Sequence, residues 1–167
     1  FFRCKNLQEV VIPDGVVKIG DSAFYTCKSL RSVEIPNSVT DIRDCAFAYC
    51  DKLRAVKLPN RVKQLASHIF FYCGRLKEVA IPDGVAKIEN FAFCGCKSLL
   101  RVEIPDSVVD IGQSAFSSCH KLKAVKLTNK IEHLGHDSFH GCGRLQSIML
   151  PPNLDYIGDS VFRNCRS

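Results

Sequence analysis

The sequence predicts a repeat solenoid: short parallel β-strands stacked along one face, with turns and short helical or extended segments on the other. Three observations carry this. Cysteines stand at Cys4, Cys27, Cys50, Cys73, Cys96, Cys119, Cys142 and Cys165, every gap being 23 residues. Phe1, Phe24, Phe47, Phe70, Phe93, Phe116, Phe139 and Phe162 keep the same step. Longer stretches also return, CKSLRSVEIPNSV at 27–39 and CKSLLRVEIPDSV at 96–108, so a block of three units is duplicated in tandem. A fixed period of this length marks repeats that contact only their neighbours and bury a continuous core by stacking.

The unit reads C-x-x-L-x-x-V-x-I-P-[DN]-x-V-x-x-I-x-x-x-A-F-x-x, and its elements follow in order. The segment L-x-x-V-x-I, as in Leu30, Val33 and Ile35, ends in the alternation of a half-buried strand. Pro13, Pro36, Pro59, Pro82, Pro105 and Pro151 close it, because proline has no N–H for a ladder. Asp14-Gly15, Asn37-Ser38, Asp83-Gly84 and Asp106-Ser107 then supply turn chemistry. V-x-x-I turns inward again, and A-F-x-x-C returns the chain along the other side. Every unit makes the same circuit, so successive strands must be parallel. Stacked about 4.8 Å apart, about seven units starting near residues 4, 27, 50, 73, 96, 119 and 142 form one solenoid over 1–167. Both termini stop within the pattern, so the chain reads as a segment of a longer array, with any targeting signal outside it.

Charge and cysteine content narrow the function classes. No apolar run approaches the roughly 20 residues of a membrane helix. Net charge is +6, which suits an acidic partner. Ten cysteines admit a disulfide framework, yet the eight in register would point the same way and read better as a buried ladder. Cys45 and Cys94 lie off the register and are the likelier reactive thiols if exposed. His133, His136 and His140 are the one weak metal candidate; they would share a face only on a helix, so they read as solvated loop residues and no cofactor is expected. Nucleophile–base signatures, phosphate loops and H-E-x-x-H are absent, and the chain reads as non-catalytic.

The repeat C-x-x-L-x-x-V-x-I-P-x-x-V-x-x-I-x-x-x-A-F resembles the BspA-type leucine-rich repeats over essentially the whole chain. The resemblance implies a solenoid of the leucine-rich-repeat type, with a parallel sheet on one face, in secreted or cell-surface proteins that bind or adhere. One unit departs from the pattern, with Thr128 in place of the proline.

The open sheet face is the expected binding surface. Alternation points Val11, Glu34, Lys57, Ala80, Glu103, Lys126 and Met149 outward. Glu34 beside Lys57 and Glu103 beside Lys126 can satisfy each other across strands. The column after the consensus leucine carries Arg31, Arg54, Lys77 and Lys123, like charges that an anionic partner would neutralise. With Arg101 these form the candidate surface. Another protein or an acidic surface ligand is the expected partner. Binding of a polyanion, a glycan or nucleic acid, is the less favoured reading, and against nucleic acid no aromatic stands on the outward columns. End-to-end self-association, as a structural spacer, is the alternative.

Overall fold

In the computed structural model, which describes residues 1–166, the chain winds as a parallel β-solenoid. Three-residue strands β1 (Glu9–Val11), β3 (Ser32–Glu34), β5 (Ala55–Lys57), β7 (Glu78–Ala80), β9 (Arg101–Glu103) and β11 (Ala124–Lys126) form one six-stranded sheet in that order. Val10 pairs with Val33, Val56 with Val79 and Val102 with Val125, so the register equals the sequence period. Ser147 continues the sheet only as an isolated bridge to Ala124. There Met149 and Leu150 lie exposed before Pro151 and Pro152, and a second proline removes another ladder donor.

Beyond the turn lies a second ladder of two-residue strands: β2 (Lys18–Ile19), β4 (Asp41–Ile42), β6 (Gln64–Leu65), β8 (Lys87–Ile88), β10 (Asp110–Ile111), β12 (His133–Leu134) and β13 (Tyr156–Ile157). β2 pairs with β4, and β6, β8, β10, β12 and β13 form a continuous parallel row. The side opposite the main sheet carries the expected turns and short extended segments, and among the described residues it holds no helix.

Two residues per coil hold the left-handed conformation. One column is Ser22, Cys45, His68, Phe91, Ser114, Asp137 and Ser160, with φ between 52° and 59°. The other is the residue before each cysteine, including Thr26 at 58° and Tyr49 at 59°. For L-residues this region costs about 1–2 kcal/mol each. The conformation aims the N–H along the solenoid axis: Cys45 N donates to Ser67 O at 3.0 Å, Phe91 N to Gln113 O at 2.9 Å and Tyr49 N to Phe71 O at 2.7 Å. Axial hydrogen bonds between coils therefore hold strained turns that glycine would otherwise be needed to make.

The core consists of columns of like residues. Phe47, Phe70, Phe93, Phe116 and Phe139 are fully buried, and their rings stack at 5.8, 5.5, 5.1 and 5.3 Å. Beside them Cys27, Cys50, Cys73, Cys96, Cys119 and Cys142 form the expected buried ladder, with a specific task, while Cys4 is exposed and Cys165 half-buried. Each thiol from Cys27 onward donates to the carbonyl of the phenylalanine one coil back, as Cys73 does to Phe47 at 3.1 Å and Cys96 to Phe70 at 3.2 Å. All ten cysteines are unbridged.

Candidate functional site

The six-stranded sheet exposes one face along its length. In β3, β5, β7, β9 and β11 the central valine is buried and both neighbours are exposed, which follows from the two-residue period of a strand. Glu34, Lys57, Glu103 and Lys126 occupy the middle outward column, and Arg101 stands at the start of β9.

The preceding column also belongs to the ladder. Arg31 N donates to Gln8 O at 2.8 Å, Arg54 N to Arg31 O at 3.3 Å, Lys77 N to Arg54 O at 3.0 Å and Lys123 N to Leu100 O at 3.2 Å. Backbone hydrogen bonding thus fixes this leading edge of the sheet, and Arg31, Arg54, Lys77 and Lys123 are all exposed on it.

Glu34 and Lys57 are register partners, as are Glu103 and Lys126. The expectation that they satisfy each other does not hold at contact range. Among the described residues the salt bridges lie elsewhere, chiefly where Lys18 meets Asp41 at 3.4 Å and Lys87 meets Asp110 at 3.4 Å beside the second ladder. Cross-strand neighbours about 5 Å apart at the backbone here keep their charged ends separate and open to solvent.

Two recesses flank the strands. At the leading edge, Arg31, Lys52, Arg54 and Arg75 line one of about 200 Å³. None of these four cations has an acidic partner within salt-bridge distance among the described residues. At the trailing edge a groove of about 660 Å³ is floored by Ile81, Ile104 and Leu127 and carries Asp83, Glu103, Asp106 and Lys126. It lies where Thr128 replaces the consensus proline. The sheet side is thus basic along one edge and mainly acidic along part of the other. Lys52 and Arg75 were not read from the sequence as site residues. The available signal was a cation two residues after the cysteine in consecutive units.

The three histidines do not converge. His136 Nε2 lies 2.9 Å from the Tyr156 hydroxyl while its Nδ1 accepts from Asp159 N at 2.9 Å, and His140 Nε2 lies 3.0 Å from Asn164 Nδ2. His133 stands in β12 beside the Tyr156 ring. Each finds its neighbour in the following coil, and among the described residues no group of three His, Cys, Asp or Glu is placed to hold a metal ion.

The expectation for Cys45 and Cys94 is also corrected. Cys94 is buried, and burial pushes its thiol up while a hydrogen bond with Ser117 opposes the shift. Cys45 is half-buried, and its thiol is raised by burial and then by the carboxylates of Asp44 and Asp21. A nucleophilic cysteine needs the opposite environment, one that favours thiolate.

The sequence profile of the family described as BspA type leucine rich repeat region matches residues 1–85 and 63–167, in 6 copies. A leucine-rich repeat protein from Bacteroides ovatus is 36% identical, with a TM-score of 0.90 over 95% of this chain and 43% of its own. A leucine rich repeat protein of T. pallidum is 29% identical, with a TM-score of 0.82 over 95% of this chain and 75% of that one. A leucine rich cell surface protein from Faecalibacterium prausnitzii is 27% identical, with a TM-score of 0.56 over 99% of this chain and 60% of that one. The chain therefore spans less than half of the Bacteroides ovatus protein. None of the curated proteins matches it.

Proposed function

The chain belongs to the BspA-type leucine-rich-repeat family, and we propose that it is a non-catalytic binding or adhesive module that takes another protein on the open face of its six-stranded sheet. One observation carries this reading. The outward columns of five consecutive strands are exposed, and their charges are not consumed in salt bridges on that face. Charge left open over a rigid surface steers encounter and selects partners more than it stabilises the fold. The candidate residues are Arg31, Glu34, Arg54, Lys57, Lys77, Arg101, Glu103, Lys123 and Lys126.

The cell surface is the proposed location. A relative described as a leucine rich cell surface protein supports it, and among the described residues no helix is long and apolar enough to cross a membrane.

The test is affinity capture from cell-surface extract, comparing the parent with Lys57→Glu plus Lys126→Glu in the middle column and with Arg31→Glu, Arg54→Glu and Lys77→Glu combined. Selective loss of a captured protein by either variant is expected. Equal capture by all three proteins removes the sheet face from consideration.

A further inference from the structure

We infer that the leading edge of the sheet is a track for a linear sulfated polysaccharide, laid along the solenoid axis and crossing one coil after another. This deepens the reading of the sheet side as the binding side by naming a ligand class for one edge of it.

The track has two columns. Lys52, Arg75, Lys121 and Arg144 stand two residues after their cysteines, and Arg31, Arg54, Lys77 and Lys123 stand four residues after theirs. All eight are exposed, and none takes part in a salt bridge among the described residues. At a strand spacing of about 4.8 Å, Arg31 and Arg144 lie roughly 24 Å apart along the axis. Ser98 and Leu100 interrupt both columns on one coil, where Lys97 and Arg101 flank the gap. The acids along this edge are few. Asp51 is held by Lys28 at 3.8 Å, while Glu9 and Glu78 start their strands.

Repeated like charge at this spacing destabilises the isolated solenoid and is relieved by a ligand carrying anions at intervals along its length. The recess of Arg31, Lys52, Arg54 and Arg75 contains three guanidinium groups. Their planar forks match the paired oxygens of a sulfate better than an ammonium does. Single-stranded nucleic acid would ask for bases stacked on aromatic faces beside the cations, and neither column holds an aromatic residue. The rings of Tyr49 and Tyr72, which precede Lys52 and Arg75 in the chain, stack on each other at 5.7 Å.

The test measures binding of a fluorescent sulfated oligosaccharide by anisotropy, with a shorter sulfated chain, an unsulfated uronate polymer and single-stranded DNA of equal charge as comparisons. The longer sulfated chain should bind tightest. Its affinity should fall on the order of 100-fold between 50 and 200 mM salt if about five cations release counterions. Arg54→Glu with Arg75→Glu should weaken it about 100-fold. Arg61→Glu with Lys130→Glu, which removes the same charge beyond the trailing edge, should change it only a few-fold. Circular dichroism checks the fold, and Arg54→Gln with Arg75→Gln serves if charge reversal disturbs it.

Equal weakening by the Arg61 and Lys130 pair, equal binding of the unsulfated polymer or the DNA, or no binding at low salt overturns the inference. The protein-binding reading is separable. If extract capture remains sensitive to Lys57→Glu plus Lys126→Glu while the sugar does not bind, only the track fails. If the sugar binds but capture ignores the sheet variants, only the protein-binding reading fails.

Discussion

Replacing Cys96 by alanine removes one rung of the thiol ladder. Cys96 is fully buried, and its Sγ donates to the Phe70 carbonyl at 3.2 Å. That oxygen also accepts from Cys73 N at 3.1 Å, so the substitution does not orphan it. Loss of the S–H donor should therefore cost about 0.5–1 kcal/mol. Deleting the buried sulfur adds a transfer and cavity cost of about 1–1.5 kcal/mol. The expected total is about 2 kcal/mol, or about 4–8 °C in Tm for a domain of this size. Thermal and guanidinium unfolding under reducing conditions, followed by circular dichroism, would measure it. Cys4→Ala is the control, because Cys4 is exposed and should shift stability by less than about 0.5 kcal/mol. If Cys96→Ala costs no more than Cys4→Ala, the repeated cysteine is not explained by its hydrogen bond and packing.

Three further outcomes follow from the same geometry. Burial pushes the thiols of Cys73 and Cys142 up to about 12 from an ordinary 9.0, and those of Cys96 and Cys119 well up. The folded chain thus keeps protons that the unfolded chain releases above pH 9. Stability should be intact below pH 9 and fall toward pH 12 by about 1.4 kcal/mol per pH unit for each such thiol. A guanidinium midpoint unchanged between neutral pH and about pH 10.5 would contradict the buried ladder. Gly135→Ala would place a Cβ 2.6 Å from Gln113 N and Gly112 C, whereas Gly74, in an interior coil, meets nothing within 4 Å. The first should cost about 1–3 kcal/mol and Gly74→Ala should be close to neutral, as compared by denaturant unfolding. Ser138 buries a hydroxyl that has no hydrogen-bond partner among the described residues, at a position where other coils carry Ala23, Ala46, Ala92 and Ala115. Ser138→Ala should raise stability by about 1 kcal/mol, and a loss of stability would show that the hydroxyl has a partner in solution.

The solenoid was legible because stacking gives each residue type one environment repeated coil after coil. Val33, Val56, Val79, Val102 and Val125 share a column as their spacing requires, and the same logic placed Glu34, Lys57, Glu103 and Lys126 outward. The second ladder was read only as an inward turn, since two-residue strands such as Lys18–Ile19 are too short to show alternation. The left-handed turns were invisible because their usual sign is glycine, whereas axial hydrogen bonds hold Ser22, Cys45, His68 and Phe91 in that conformation instead. Lys52 and Arg75 are hard to read as surface partners for a related reason. They sit in the turn before the strand, where side-chain direction follows turn geometry rather than a period. The separation of Glu34 from Lys57 lies beyond sequence reasoning, which gives register but not where charged ends settle.

The most direct measurement of the binding claim is photo-crosslinking in cell-surface extract from single positions carrying a photoreactive side chain. Lys57 and Lys126 represent the sheet face, while Asn164 and Asp159, exposed beyond the second ladder, represent the turn side. The account predicts one dominant adduct from Lys57 and Lys126 and none of that mass from Asn164 or Asp159. The same adduct from the turn-side positions alone would contradict it and place the binding surface opposite the sheet.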